Sequence, residues 1–269
     1  TRHVRLNDER SIAMRMTFCR LIAALLTMAC CSVFCGAQQR MESQPPRPPM
    51  KKGLVILVGG VGGVDFFLSA AEWALPHAGV PHEVVEFDWT HGFGKVFKDL
   101  QDTQHCLRKA KELAAYVTKV NAGDPRRPIY LVGKSGGAGL VLAAAEQLPP
   151  MTVERIILLS AAVSPDFDLR LALRATRREI VSFNSSYDRL ILGWGTTEFG
   201  TMDRFYGPSA GLKNFVIPKK LDSEDQLLYE RLVQLSWNPH MILHGHTGGH
   251  FGTSMPLFLE KEVAPWLKP

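Results

Sequence analysis

Gly133-Lys134-Ser135-Gly136-Gly137 stands between the apolar run Ile129-Tyr-Leu-Val132 and a stretch of small and apolar residues, Ala138-Gly-Leu-Val-Leu-Ala-Ala-Ala145. The first run reads as a strand. The second reads as a helix continuing to Leu148 and stopped by Pro149-Pro150. A serine in this position occupies a very tight strand-to-helix turn that pushes its hydroxyl out of the sheet. Glycines two residues to either side are needed because side chains there would strike neighbouring backbone. The five residues alone are a common combination, and their placement between strand and helix is what makes Ser135 a candidate nucleophile. The alternative is a serine that only shapes a turn.

Outward from this turn the chain alternates between two periodicities. Leu54-Val-Ile-Leu-Val58 is a continuous apolar run ended by Gly59-Gly60, the pattern of a strand covered on both faces. Residues 65–78 read as a helix with Phe66, Phe67, Ala70, Trp73 and Ala74 inward, and Glu83–Phe87 as a strand. Helical spacing then runs from Val96 to Val120, ended by Gly123-Asp124-Pro125. Arg155–Leu159 and Glu179–Phe183 are further strands with a short helix between them. His240–His244 is expected to be the last strand, and residues 254–267 the closing helix. Six strands alternating with helices predict an α/β fold, a mostly parallel sheet with helices on both faces. Residues 189–238 interrupt the rhythm as a long insertion before the last strand, rich in aromatic residues. They contain one clear helix, beginning at Ser223 with Gln226 three positions on as a capping box. This insertion is either a lid over the site or an extra packing layer.

These features resemble the α/β-hydrolase superfamily, over about residues 53 to 267. The family's catalytic residues run in chain order serine, acid, histidine, which the resemblance carries onto Ser135, Asp188 and His250. Asp188 closes Asn184-Ser-Ser-Tyr-Asp188 after a strand, and His250 lies in Gly248-Gly249-His250-Phe251-Gly252 before the closing helix. On this resemblance His250 takes the serine proton and Asp188 orients and stabilises the imidazole. The backbone N–H groups of Val61, in Gly59-Gly-Val-Gly-Gly63, and of Gly136 would meet the oxyanion. The sequence departs from the family in having Gly59-Gly60 where His-Gly is common, and Lys134 where His or Tyr often precedes the serine.

Two assignments stay open. Asp166 and Asp168, in Ser164-Pro-Asp-Phe-Asp168, follow another strand where some superfamily members place the acid; helix-start capping is the other use for Asp166. His240, His244, His246 and His250 fall within eleven residues and raise a zinc question, with 240, 244 and 246 sharing one face of the expected strand. No paired carboxylate or cysteine completes a familiar ligand spacing, so no metal and no cofactor is expected. Two phosphate motifs fail on spacing: Pro128 stands where a P-loop needs glycine, and Asp65 stands where a dinucleotide fingerprint needs its third.

Composition adds the setting. The 269 residues are 46% hydrophobic, ordinary for one sizeable core plus an appendage. Of the formal net charge of +5, residues 1–37 hold five arginines against Asp8 and Glu9, a net of +3, which leaves +2 for the rest. The basic balance therefore belongs largely to a leader, and no nucleic-acid partner is expected. Arg15 and Arg20 precede the uncharged run Leu21–Phe34, followed by small residues at Cys35-Gly-Ala37. This is the form of a secretory signal, with mature protein expected to start near Gln38; a retained anchor is the alternative, and the only expected membrane contact. Residues 38–52 are a proline-rich linker, and residues 53–269 the folded domain. Four of five cysteines lie in the first 35 residues, so Cys106 has no partner in that domain for a disulfide. The reading is an exported serine hydrolase for a small-molecule or lipid-like ester. The alternatives are a serine acyltransferase on the same three residues and a non-catalytic binding protein of the same fold.

Overall fold

The computed structural model describes residues 53–63 and 65–268; the expectations for the leader and the linker lie outside the described residues. Six strands form one sheet, β1 (Leu54–Val58), β2 (Glu83–Glu86), β3 (Ile129–Lys134), β4 (Arg155–Leu159), β5 (Ile180–Asn184) and β6 (Leu232–Ser236). Their order is β2-β1-β3-β4-β5-β6, and every pairing is parallel. The helices that matter for the site are α1 (Phe66–His77), α2 (Val96–Gln101), α3 (Thr103–Gly123), α4 (Gly136–Ala145) and α5 (Arg170–Ala175). Among the described residues, no helix is long and apolar enough to cross a membrane.

The continuous apolar strands follow from two cores, one on each face. Leu54, Ile56, Leu131, Ile156 and Leu158 pack with α3 and α4 residues such as Leu113, Val117, Val141 and Leu142. Val55, Leu57, Val132, Ile157 and Leu159 point the other way and meet Phe67, Ala71 and Leu75 of α1 with Phe258, Leu259 and Leu267 of the C-terminal helical turns. Side chains alternate along a strand, so covering both faces requires every position to be apolar. Each fully buried Leu, Ile or Phe contributes about 1.5–3 kcal/mol.

The structure corrects several expectations. The last strand is β6, not His240–His244. Leu232-Val-Gln-Leu-Ser236 lies at the sheet edge and is only partly buried, so its sequence shows no continuous apolar run. Residues Pro239–His244 instead form a 3₁₀ turn, because Asn238 caps it by accepting from the His240 N–H at 3.0 Å and Pro239 supplies the preset first position. His240, His244 and His246 therefore share no strand face. The insertion before the last strand ends near residue 231, and it holds three helical turns (Leu190–Gly195, Thr196–Phe199, Ala210–Lys213) besides α6 (Ser223–Tyr229). Asp222, not Ser223, caps α6. The helix expected from Val96 to Val120 breaks at Asp102, which caps α3 by accepting from the His105 N–H. Trp73 faces outward, 53% exposed and stacked on His77, since the buried face of α1 centres on Phe67, Ala71 and Ala74.

Candidate active site

The functional candidates converge at the carboxyl ends of the strands, where open parallel sheets place their ligand sites. Ser135 follows β3 and caps the start of α4 at φ 53°, ψ −120°, a backbone conformation that a residue with a Cβ rarely adopts. The surrounding packing holds it there. Its N–H donates to the Leu159 carbonyl at 2.9 Å, and its carbonyl accepts from Ala138 and Ala162, both at 3.1 Å. A Cβ on Gly133 would lie 2.7 Å from the Ala138 Cα, and one on Gly137 would lie 2.2 Å from the Gly59 carbonyl oxygen. The two flanking glycines are thus a steric necessity of the turn. Ser135 is half-buried between buried Lys134 and Gly136, so the turn leaves the serine alone reachable.

The glycine loop after β1 crosses this turn. Val61 Cγ1 lies 3.0 Å from the Cβ position of Gly136, so the glycine loop packs directly against the start of α4. Neither amide donates to a protein acceptor among the described residues. The loop is pinned by carboxylates on both sides of Val61. Asp65 accepts from the Gly60 N–H at 2.5 Å, and Asp99 accepts from the Gly62 N–H at 2.8 Å. Asp99 is fully buried, and its other oxygen takes the His91 N–H at 2.7 Å and faces His91 Nδ1 at 2.8 Å. Trp89 completes the support, its indole N–H donating to the Gly59 carbonyl at 2.9 Å.

His250 and Asp188 meet at the next strand ends. His250 Nδ1 lies 2.6 Å from Asp188 Oδ2, and both side chains are buried. The acid loop and the histidine loop are joined by the Ser185 hydroxyl, which donates to the Gly248 carbonyl at 2.6 Å. Asp166 is exposed, and Asp168 is spent on Arg170 at 2.6 Å, so neither rival acid reaches the histidine. Lys134 ties His250 to the serine's own strand. Its buried ammonium donates to the His250 carbonyl at 2.8 Å and to Thr253 Oγ1 at 3.0 Å. Among the described residues the Ser135 hydroxyl itself has no hydrogen-bond partner. In enzymes without substrate that contact is often open and tightens on binding.

Burial sets the charges. It pushes the Lys134 ammonium below its ordinary range, opposed by Asp65 and Asp188. It also lowers His250, an effect the Lys134 charge reinforces and Asp188 resists, which favours the neutral imidazole that a base must be. His246 is lowered to about 4, mainly by burial. Its Nδ1 accepts from the Gly248 N–H, and a Cβ on Gly252 would collide with it, so it is the packing anchor of the His250 loop. His244 is paired with Glu262 at 2.7 Å. Among the described residues, no group of three or more His, Cys, Asp or Glu side chains could hold a metal ion. Sequence reasoning missed the roles of Asp99, His91 and Lys134. The available signal was a charged residue at an apolar position: Asp99 on the helical stripe, Lys134 at the end of a core strand.

Residues 49–189 match the family described as serine aminopeptidase, S33. No curated relative matches the sequence. Similar solved structures include a CIB-like hydrolase from Thermoplasma acidophilum, 14% identical over 81% of this chain and 87% of that one, TM-score 0.44. A lipase-esterase related protein from Clostridium acetobutylicum is 16% identical over 81% and 95%, TM-score 0.44. A Trichoderma reesei cutinase in complex with a phosphonate inhibitor is 12% identical over 97% and 96%, TM-score 0.42.

Proposed function

Since the chain belongs to the serine aminopeptidase (S33) family of α/β hydrolases and is a hydrolytic enzyme, we propose that it cleaves carboxylic esters through an acyl-serine intermediate on Ser135. The Ser135 oxygen attacks the ester carbonyl while its proton passes to His250 Nε2, and Asp188 stabilises the imidazolium through Nδ1. The carbonyl oxygen, now an anion, accepts from the Val61 and Gly136 N–H groups. Collapse breaks the bond to the leaving oxygen, which takes the proton from His250 and departs as an alcohol. Water then attacks the acyl-serine, gives a proton to His250, and the second collapse returns that proton to Ser135 and releases the carboxylic acid.

The observation that carries this reading is the buried 2.6 Å pair of Asp188 and His250, on a loop that Lys134 fastens to the end of β3. Recognition of a free amino terminus, as an aminopeptidase requires, calls for an uncommitted carboxylate near the serine. The carboxylates around the glycine loop and the histidine, Asp65, Asp99 and Asp188, each already accept hydrogen bonds from the protein, which supports an ester in this reading. The leader-like residues 21–37 support an exported enzyme in the same reading. The test is turnover of a short nitrophenyl ester by Ser135→Ala, His250→Ala and the double variant. Each single change should lower kcat by several orders of magnitude, with the double hardly worse, because residues acting as one unit are not additive. Full activity in Ser135→Ala would refute the mechanism.

A further inference from the structure

Beside the first turns of α4 lies a cavity of about 240 Å³, and its position relative to Ser135 gives it a use. Its walls are mainly Leu107, Leu140, Ala143, Val163, Phe167 and Met202, and it opens to solvent where Thr103, Leu107, Asp203 and Arg204 stand exposed. Gly139, Leu140 and Ala143 of α4 and Glu146 at its C-terminal cap recur at helical spacing along one side, so the space follows that helix for roughly 10 Å at 1.5 Å per residue. The end toward the serine is closed by Met202, from the insertion before β6. Its N–H donates to the Ala162 carbonyl at 3.0 Å, and the Ala162 N–H donates to the Ser135 carbonyl at 3.1 Å. Its side chain lies flat on α4, as a Cβ on Gly139 would come within 2.6 Å of the Met202 Cβ. Its sulfur sits 3.4 Å from the Cβ position of Gly136. One flexible thioether therefore stands between the cavity and the amide beside which a bound carbonyl would lie.

The polar groups at the cavity are committed elsewhere. Asp203 accepts from the Ser164 N–H and the Thr201 hydroxyl, and the Arg204 guanidinium donates to the Gln101 carbonyl and the Thr103 hydroxyl. Burial raises the Glu146 carboxyl, with the Asp168 charge adding to it. The occupant that fits is an unbranched apolar chain, and the volume holds roughly eight groups of about 30 Å³. We infer that this cavity is the acyl pocket of the enzyme, entered past Met202 and suited to medium-chain acyl esters. The inference rests on the acyl-serine reading of Ser135 and names its substrate class. Methionine suits the gate, being unbranched and able to change rotamer at small cost.

The test compares nitrophenyl acetate and nitrophenyl octanoate on the full chain and on Ala143→Phe, whose ring would project into the empty space. Wild type should favour octanoate in kcat/KM by tenfold or more. The variant should lower the octanoate-to-acetate ratio at least tenfold, the low end of what a single methylene is worth in a hydrophobic pocket. Folding is read by near-ultraviolet circular dichroism, and Ala143→Leu replaces the variant if phenylalanine unfolds it. An unchanged ratio in a folded variant overturns the pocket and leaves the nucleophile standing. Failure of a fluorophosphonate to label Ser135 in wild type overturns instead the reading on which the pocket rests.

Discussion

Removing the Asp99 carboxylate separates positioning from chemistry, because Asp99 touches no reacting atom in the proposed mechanism. Asp99→Ala deletes acceptors for three hydrogen bonds, from the Gly62 N–H at 2.8 Å, the His91 N–H at 2.7 Å and His91 Nδ1 at 2.8 Å. Two of these donors are backbone amides with no alternative partner in a buried site. Breaking one side of a buried charged network destabilises by about 3–5 kcal/mol. For a domain of this size that is a fall in melting temperature on the order of 10 °C. The functional effect follows from sequence adjacency. Gly62 follows Val61, so a loosened loop would misplace one of the two proposed oxyanion donors, and losing one such donor lowers kcat about 100-fold or more. KM should barely move, since the interaction is made in the transition state. Asp99→Asn keeps one oxygen for Gly62 but turns an NH₂ toward His91, so it should fall between wild type and Ala in both measurements. Steady-state kinetics on a nitrophenyl ester, with thermal unfolding of the same samples, checks both numbers. A destabilised Asp99→Ala with unchanged kcat would refute the argument that this carboxylate sets the oxyanion loop.

Lys134→Met should move the acid limb of the kcat/KM–pH profile upward, because the lysine charge adds to burial in lowering His250; an unmoved limb would exclude that coupling. Stability should fall as pH drops below about 6.5, because His246 is held neutral in the fold and protonates first in the unfolded chain. Between pH 6.5 and 5, with His246 near 4, this amounts to about 1–2 kcal/mol, readable by urea denaturation; His246→Gln should flatten that slope, and an equal slope would contradict the assignment. Gly137→Ala should destabilise by about 3 kcal/mol or more, since its Cβ meets backbone carbonyls at 2.2 and 2.3 Å. Gly249→Ala, in open space at φ −80°, should be neutral or slightly stabilising in the same denaturation series, and the opposite ranking would show that the turn relaxes.

The features legible in the sequence were those that leave an uninterrupted pattern. β1, β3 and β4 are apolar at nearly every position because both faces of the sheet are covered, and the glycines around Ser135 are fixed by backbone contacts that admit no side chain. β6 was not legible. It is an edge strand, partly exposed, and Gln234 turns its amide to the Phe215 backbone, accepting from its N–H and donating to its carbonyl. The run His240-Met-Ile-Leu-His244 looked more like a core strand, yet a proline and an asparagine cap commit it to a helical turn. Pairing of the acid with the histidine needed the fold, since Asp166, Asp168 and Asp188 all follow strands. Their difference is exposure and partner: Arg170 takes Asp168, and His250 takes Asp188. The support of the glycine loop by Asp99 joins residues 37 positions apart, which no local spacing reveals.

The central claim is that Ser135 is an activated nucleophile. A fluorophosphonate, which bonds only a serine whose proton a neighbouring base removes, tests it without knowledge of the substrate. Purified protein is labelled, digested, and the modified peptide sequenced by mass spectrometry. One modification per chain is expected, on Ser135, lost in Ser135→Ala and strongly slowed in His250→Ala. Folded protein that stays unlabelled, or that carries the label on a different residue, would contradict it.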